Sequence, residues 1–188
     1  NKITDLIVGI HHKANIVDTF LGGTITALIN GTSHQNLIIY GPKRPINSVK
    51  RLVVTVPQMA ELEIGFDLWF DRVKNIASQL SIPIVFYANK TTTEALKKQC
   101  EIYSSLNVSF RELASWEDFL IISKDIKHSD TLIVITARKA TMSYNNLFEK
   151  IPYYLNKYFA DNNFLLIYPQ QTAPDGTDND IYNPLKIS

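Results

Sequence analysis

LIVGIHHKANIVDTFLGG, residues 6–23, sets an apolar run against a polar loop with paired histidines and closes on two glycines. A second stretch, LIVITARKA at residues 132–140, matches its start in register. Leu6-Ile7-Val8 corresponds to Leu132-Ile133-Val134, and Lys13-Ala14 to Lys139-Ala140. Each stretch is followed by a helical pattern and then by an apolar strand ending in tyrosine, NLIIY at Tyr40 and FLLIY at Tyr168. Two similar strands alone carry little weight, but the same order of strand, loop, helix and strand at both places marks an internal repeat.

Working outward, the apolar runs DLIVGI, NLIIY, KRLVVTV, IPIVFYA, NVSFREL, DTLIVITA and NFLLIYP read as strands. TFLGGTITALIN reads as a helix between the first two. Pro57 stands at the entrance to the next helix, whose apolar face is Leu62, Phe66, Trp69, Val73, Ile76, Ala77 and Leu80, with Glu61 and Glu63 near its start. Thr91 with Glu94 has the form of a capping box, and Ser115 with Asp118 caps a further helix in SWEDFLIISKDI. Pro152 splits the segment after the sixth strand, because proline is tolerated in a first turn and breaks a helix interior.

From Lys50 to Tyr168 strands and amphipathic helices alternate. That order predicts an α/β fold: a parallel, five-stranded, doubly wound sheet covered on both faces, with an additional strand-helix-strand fragment. Residues 1–40 then form the C-terminal part of a first repeat, 41–49 a linker, 50–168 a complete second repeat and 169–188 an extended tail. A lone strand pair would expose an edge and an apolar helix face, so the fragment must pack on the second unit, on another chain or on an earlier half of the repeat, and exchange or pairing between chains is the expectation. A homodimer follows from that expectation.

Composition narrows the function classes. Nineteen Lys and Arg against eighteen Asp and Glu give a formal charge of +1, and no basic tract invites nucleic acid. Cys100 is the single cysteine, which excludes an intrachain disulfide and a cysteine-cluster metal site. No run approaches the roughly 20 apolar residues that cross a bilayer, and no signal-like segment precedes the first strand, so the chain itself is expected to be soluble.

The order of elements from Lys50 to Tyr168 resembles the five-stranded, four-helix unit of the universal stress proteins, and Asp5–Tyr40 resembles its final portion. Adenine-nucleotide-binding members of that family carry Gly, two residues, Gly, nine residues, then Gly with Ser or Thr after the fourth strand. Here Gly9 and Gly22 match the first and third glycines, His12 replaces the second, and Gly23 occupies the Ser or Thr place with Thr24 one residue late. The second copy has Ile135, Arg138 and Phe148 at the three glycine positions, and Pro57 stands near the family's acidic residue at the end of the first strand. More narrowly, Lys50–Ala88 looks like the second such unit in the cytoplasmic C-terminal region of bacterial, Bacteroides-like, sodium/proton antiporters. The resemblance implies a non-catalytic regulatory or assembly domain of a cation antiport system. Its partner would be the membrane-embedded transporter of the same parent chain, at the cytoplasmic face of the inner membrane. The alternative is an adenine-nucleotide-binding universal stress protein.

Gly9, Gly22, Gly23, Thr24, His11 and His12 are the candidate, degenerate nucleotide loop, with ATP or another adenine nucleotide as the ligand. The competing account is that the glycines serve close helix packing and the histidines are solvated. No cofactor or metal is required, because adjacent histidines do not converge on an ion unaided. Thr136, Arg138, Lys139 and Thr141 are anion-binding candidates at the carboxyl end of the sheet, or simply a solvated basic loop. Ser143 has no spaced His and acid to make a hydrolase triad, and no enzyme activity is expected.

Overall fold

The structure, a computed structural model, describes residues 4–10, 15–21, 23–103 and 106–172. Seven strands form one sheet: β1 (Asp5–Gly9), β2 (Asn36–Gly41), β3 (Arg51–Thr55), β4 (Ile84–Ala88), β5 (Val108–Glu112), β6 (Asp130–Ile135) and β7 (Asn163–Tyr168). Their order is β1-β2-β7-β6-β3-β4-β5. The five strands β3 to β7 run parallel to one another, with the direction of winding reversing between β3 and β6. β1 and β2 are parallel to each other, and β2 joins β7 antiparallel, Leu37 opposite Tyr168 and Tyr40 opposite Leu165. The edge of β2 is therefore covered by β7 of the same chain, in place of the expected pairing with another chain.

Continuous Val, Leu and Ile runs form the central strands because both faces are covered, and Leu52, Val53, Val54, Leu132, Ile133 and Val134 are fully buried. On one face, α3 (Phe66–Leu80) and α4 (Lys90–Glu101) bury Trp69, Phe70, Val73, Ala77 and Leu96. On the other, α1 (Ile16–Leu21), α2 (Thr24–Gly31), α5 (Ile151–Tyr158) and a 3-10 helix over Trp116–Lys124 enclose a second core around Trp116, Phe119, Leu155 and Phe159.

Buried polar groups fix the register. Asp130, 2% exposed, accepts from Arg51 at 2.6 Å and from the Lys127 amide, pinning the amino ends of β3 and β6. Asn163 accepts from the amides of Lys43 and Arg44 and donates to the Arg44 carbonyl, which orders the connection after β2. Asn36 donates to Asp5 and accepts from the Gln170 amide, tying β1 to the end of β7.

Several local expectations are corrected. TFLGGTITALIN is two helices, because Gly23 at φ 77° turns the chain between them. Helix α3 starts at Phe66, well after Pro57: Met59 in a left-handed conformation and a 3-10 turn over Ala60–Leu62 intervene, which leaves Leu62 exposed. The cap of α4 is Asn89, whose Oδ1 accepts from the Thr92 amide, in place of Thr91 with Glu94. The SWEDFLIISKDI helix is 3-10, although Ser115 caps it as expected, accepting from the Glu117 amide. Gly41 of the expected linker belongs to β2. Of the expected tail, Ala173–Ser188 lies outside the described residues.

Candidate functional site

Two places at the carboxyl ends of the strands invite a ligand. The first is the crevice between β3 and β6, where the winding reverses and doubly wound sheets bind ligands. Here it is bridged. The Glu63 carboxylate, from the connection after β3, accepts both the amide and the hydroxyl of Ser143, from the connection after β6, at 2.9 and 2.8 Å. Gly65 lies so close to the chain after β7 that a Cβ there would stand 2.5 Å from the Gln170 carbonyl oxygen. Gln58 donates to the Ala114 carbonyl on the other flank. A carboxylate locked in this position repels a phosphate chain.

The Ser143 hydroxyl proton is directed at Glu63, and no histidine is among its hydrogen-bond partners in the described residues. Sequence reasoning placed Glu63 among the charges of a helix start and missed this link. The signal is an interaction across 80 residues, invisible to local spacing.

The second place is a cavity of about 480 Å³ where α1 and α2 face α5 and the connection after β6. Phe20, Tyr144, Phe148, Tyr153 and Tyr168 give it aromatic walls, and Arg138, Lys139 and Glu149 stand in its lining. It brings one of the two anticipated loops, residues 136–141, against helices that flank the other. His11, His12 and Gly22 lie outside the described residues. Gly9 closes β1 with open space where a Cβ would be, and Thr24 is the exposed first residue of α2.

The anion-binding candidates are engaged with the protein itself. Thr136 is buried and its hydroxyl donates to the Ile167 carbonyl at 2.8 Å. Thr141 donates to the Arg138 carbonyl at 2.9 Å. Lys139 pairs with Glu149 at 2.9 Å, an exposed contact that raises the lysine pKa and lowers that of the carboxyl. Arg138, 6% exposed, donates to the carbonyls of Thr32 at 2.9 Å, Gln35 at 3.3 Å and Pro169 at 3.4 Å. Burial lowers its pKa, an effect partly opposed by Tyr168 beside it. Burial likewise raises the pKa of the Tyr168 hydroxyl. Phe148, at the third glycine position of the second copy, is buried edge-on against Trp116, so this loop has a packing residue where a phosphate cradle needs bare backbone.

The chain matches no protein-family model and no curated protein sequence. A solved structure similar to it is that of a universal stress protein from Archaeoglobus fulgidus, with a TM-score of 0.58 at 11% sequence identity. The fold is universal-stress-protein-like. The likeness covers 89% of this chain and 61% of that one, so the chain spans about three fifths of that relative's length. At this identity it carries the architecture, with no assignment of ligand or partner.

Among the described residues no group of three or more His, Cys, Asp or Glu side chains is placed to hold a metal ion. Cys100 is partly buried, and burial pushes its thiol pKa up to about 11, which makes it a poor nucleophile at neutral pH. Among the described residues no helix is long and apolar enough to cross a membrane.

Proposed function

We propose that this chain is a non-catalytic regulatory or assembly module with a universal-stress-protein-like fold. Its proposed parent is the sodium/proton antiporter whose cytoplasmic region Lys50–Ala88 resembles. The observation that supports the non-catalytic reading is the Glu63–Ser143 bridge, which spans the sheet's natural ligand crevice with a carboxylate and a hydroxyl already engaged with each other. Regulation then works through assembly: a module that pairs subunits, as a homodimer, alters transport only if its interfaces differ in free energy between two transporter states.

A second reading, adenine-nucleotide binding, is favoured by Arg138. Its charge borders the aromatic cavity with no carboxylate paired to it among the described residues. Calorimetry with ATP, ADP, AMP and cyclic di-adenylate separates the two. No heat of binding supports the assembly module. Saturable ATP binding abolished by Thr26→Trp, an exposed position in the cavity lining, establishes the second reading. The parent is tested by the coding sequence upstream of Asn1, where a multi-span membrane region supports the antiporter and an immediate start codon refutes it. Solution mass over a concentration series tests the dimer, and a monomer throughout refutes it.

A further inference from the structure

The opposite face of the sheet carries a larger feature. On the α3 side of the antiparallel joint, a groove of about 790 Å³ runs over Ile38 and Tyr40 of β2 and Leu165 of β7. The connection Pro42–Ile46 forms one wall, and Ile76 with Leu80 of α3 forms the other. The internal repeat shows how bare this face is. Ile7 and Ile133 occupy the same register position in the two copies, yet Ile133 is 0% exposed beneath α3 and Ile7 is 66% exposed.

One end of the groove is polar. Thr131 lines it, is fully buried, and its hydroxyl finds no hydrogen-bond partner among the described residues. The Nε of Arg44, another lining residue, is also buried without a partner among the described residues, while its Nη2 donates to the Asp161 carbonyl. The two are neighbours through Asn163, which pairs with Thr131 in the sheet register and holds the backbone of Arg44. Lys43 beside them has no carboxylate in ion-pair range among the described residues. Unpaired buried donors are costly and therefore informative. An apolar partner surface offers this polar end nothing, whereas a carboxylate headgroup meets the Lys43 charge and brings acceptors to the lining that Arg44 and Thr131 share.

We infer that this groove binds a single-chain anionic amphiphile, a fatty-acyl carboxylate, with its head at Lys43, Arg44 and Thr131 and its chain along Tyr40, Ile38 and Leu165. The volume suits it: ligand sites span about 300–1,000 Å³ and are mostly apolar with a few fixed polar groups. This site lies on the face away from α1, α2 and α5, and it stands whether or not the parent is a transporter.

The test is calorimetric titration of the chain with octanoate, decanoate and dodecanoate below their micellar concentrations, with dodecyltrimethylammonium as the cation of equal length. The expected result is saturable binding that tightens about fourfold per added methylene. Lys43→Glu weakens dodecanoate binding about tenfold at an unchanged melting temperature. Ile46→Asp, at an exposed wall position, does the same and guards against a folding artefact. Equal binding of the cationic amphiphile, no saturable binding of any carboxylate, or unaltered binding by both variants overturns the assignment. So does self-association that buries Tyr40 and is indifferent to dodecanoate, which gives the groove to a second copy.

Discussion

Replacing Arg138 with methionine keeps most of the side chain's apolar length and removes every donor. Arg138 joins three pieces of backbone through one side chain: the connection after β6, the turn between α2 and β2 at Thr32 and Gln35, and the exit of β7 at Pro169. Hydrogen bonds to a charged group are worth about 1.5–3 kcal/mol each, and only the 2.9 Å bond to Thr32 has ideal length, the other two being long at 3.3 and 3.4 Å. Three carbonyls lose a partner, while the buried guanidinium no longer bears its own desolvation. The balance is a loss of about 2–4 kcal/mol, or about 4–16 °C in Tm for a chain of this size.

The assay is urea unfolding combined with amide hydrogen exchange. Protection should fall most in β2, at Leu37–Tyr40, because its amino end is what Arg138 holds, and least in β3 and β4. Arg138→Lys should recover only part, since a point charge cannot reach three carbonyls in fixed directions. If Arg138 instead serves a ligand, its removal costs at most about 0.5 kcal/mol in the ligand-free chain. A loss below about 1 kcal/mol with β2 protection intact refutes the clamp.

Gly65→Ala forces a Cβ against the Gln170 backbone and should destabilise by about 1–3 kcal/mol in thermal melts, whereas Gly9→Ala, with nothing within 4 Å, should be near neutral. The Cys100 thiol, with its pKa pushed up to about 11 by burial, should react with iodoacetamide at pH 8 roughly two hundredfold more slowly than an unfolded thiol. Equal rates in native and urea-unfolded protein would show it free. Tyr87 has its pKa raised to about 12, first by burial and then by its 2.6 Å hydrogen bond to Asp125. Because the folded value is the higher, its contribution to stability is complete below about pH 10 and is lost as pH rises from there through about 12. Tyr87→Phe should flatten that alkaline limb in urea titrations, and an unchanged limb counts against the assignment.

The strands were legible because their signal is local, and β3, β6 and β7 fall where their apolar runs predict. The 3-10 helix carried its own signal as well: its buried residues Trp116, Phe119 and Ile122 recur at intervals of exactly three, the 3-10 period, where an α-helix alternates three and four. Splitting α1 from α2 needed the φ of Gly23, and adjacent glycines in a helical pattern do not say which conformation they take. The demand that the edge of residues 1–40 be covered came from edge chemistry, which does not say whether the covering strand belongs to the same chain or another; here it is β7 of the same chain, antiparallel.

The site was harder for a different reason. Arg138 stands at the carboxyl end of a central strand, the position from which such folds reach a ligand, and its type and place both suit an anion. What decides its role is the backbone carbonyls of Thr32 and Gln35, more than a hundred residues away in sequence, which take up its donors first. Glu63 gives the converse case: an acidic residue that looks like a helix-start charge becomes the acceptor that closes the crevice, because Ser143 arrives from the far side of the sheet. In both cases the residue type foretold the kind of bond and the topology chose the partner. At Thr131 and Arg44 the topology leaves buried donors with no partner among the described residues, and for that reason the groove beside β7 is a stronger place to look for a bound molecule than the loops where the sequence pattern pointed.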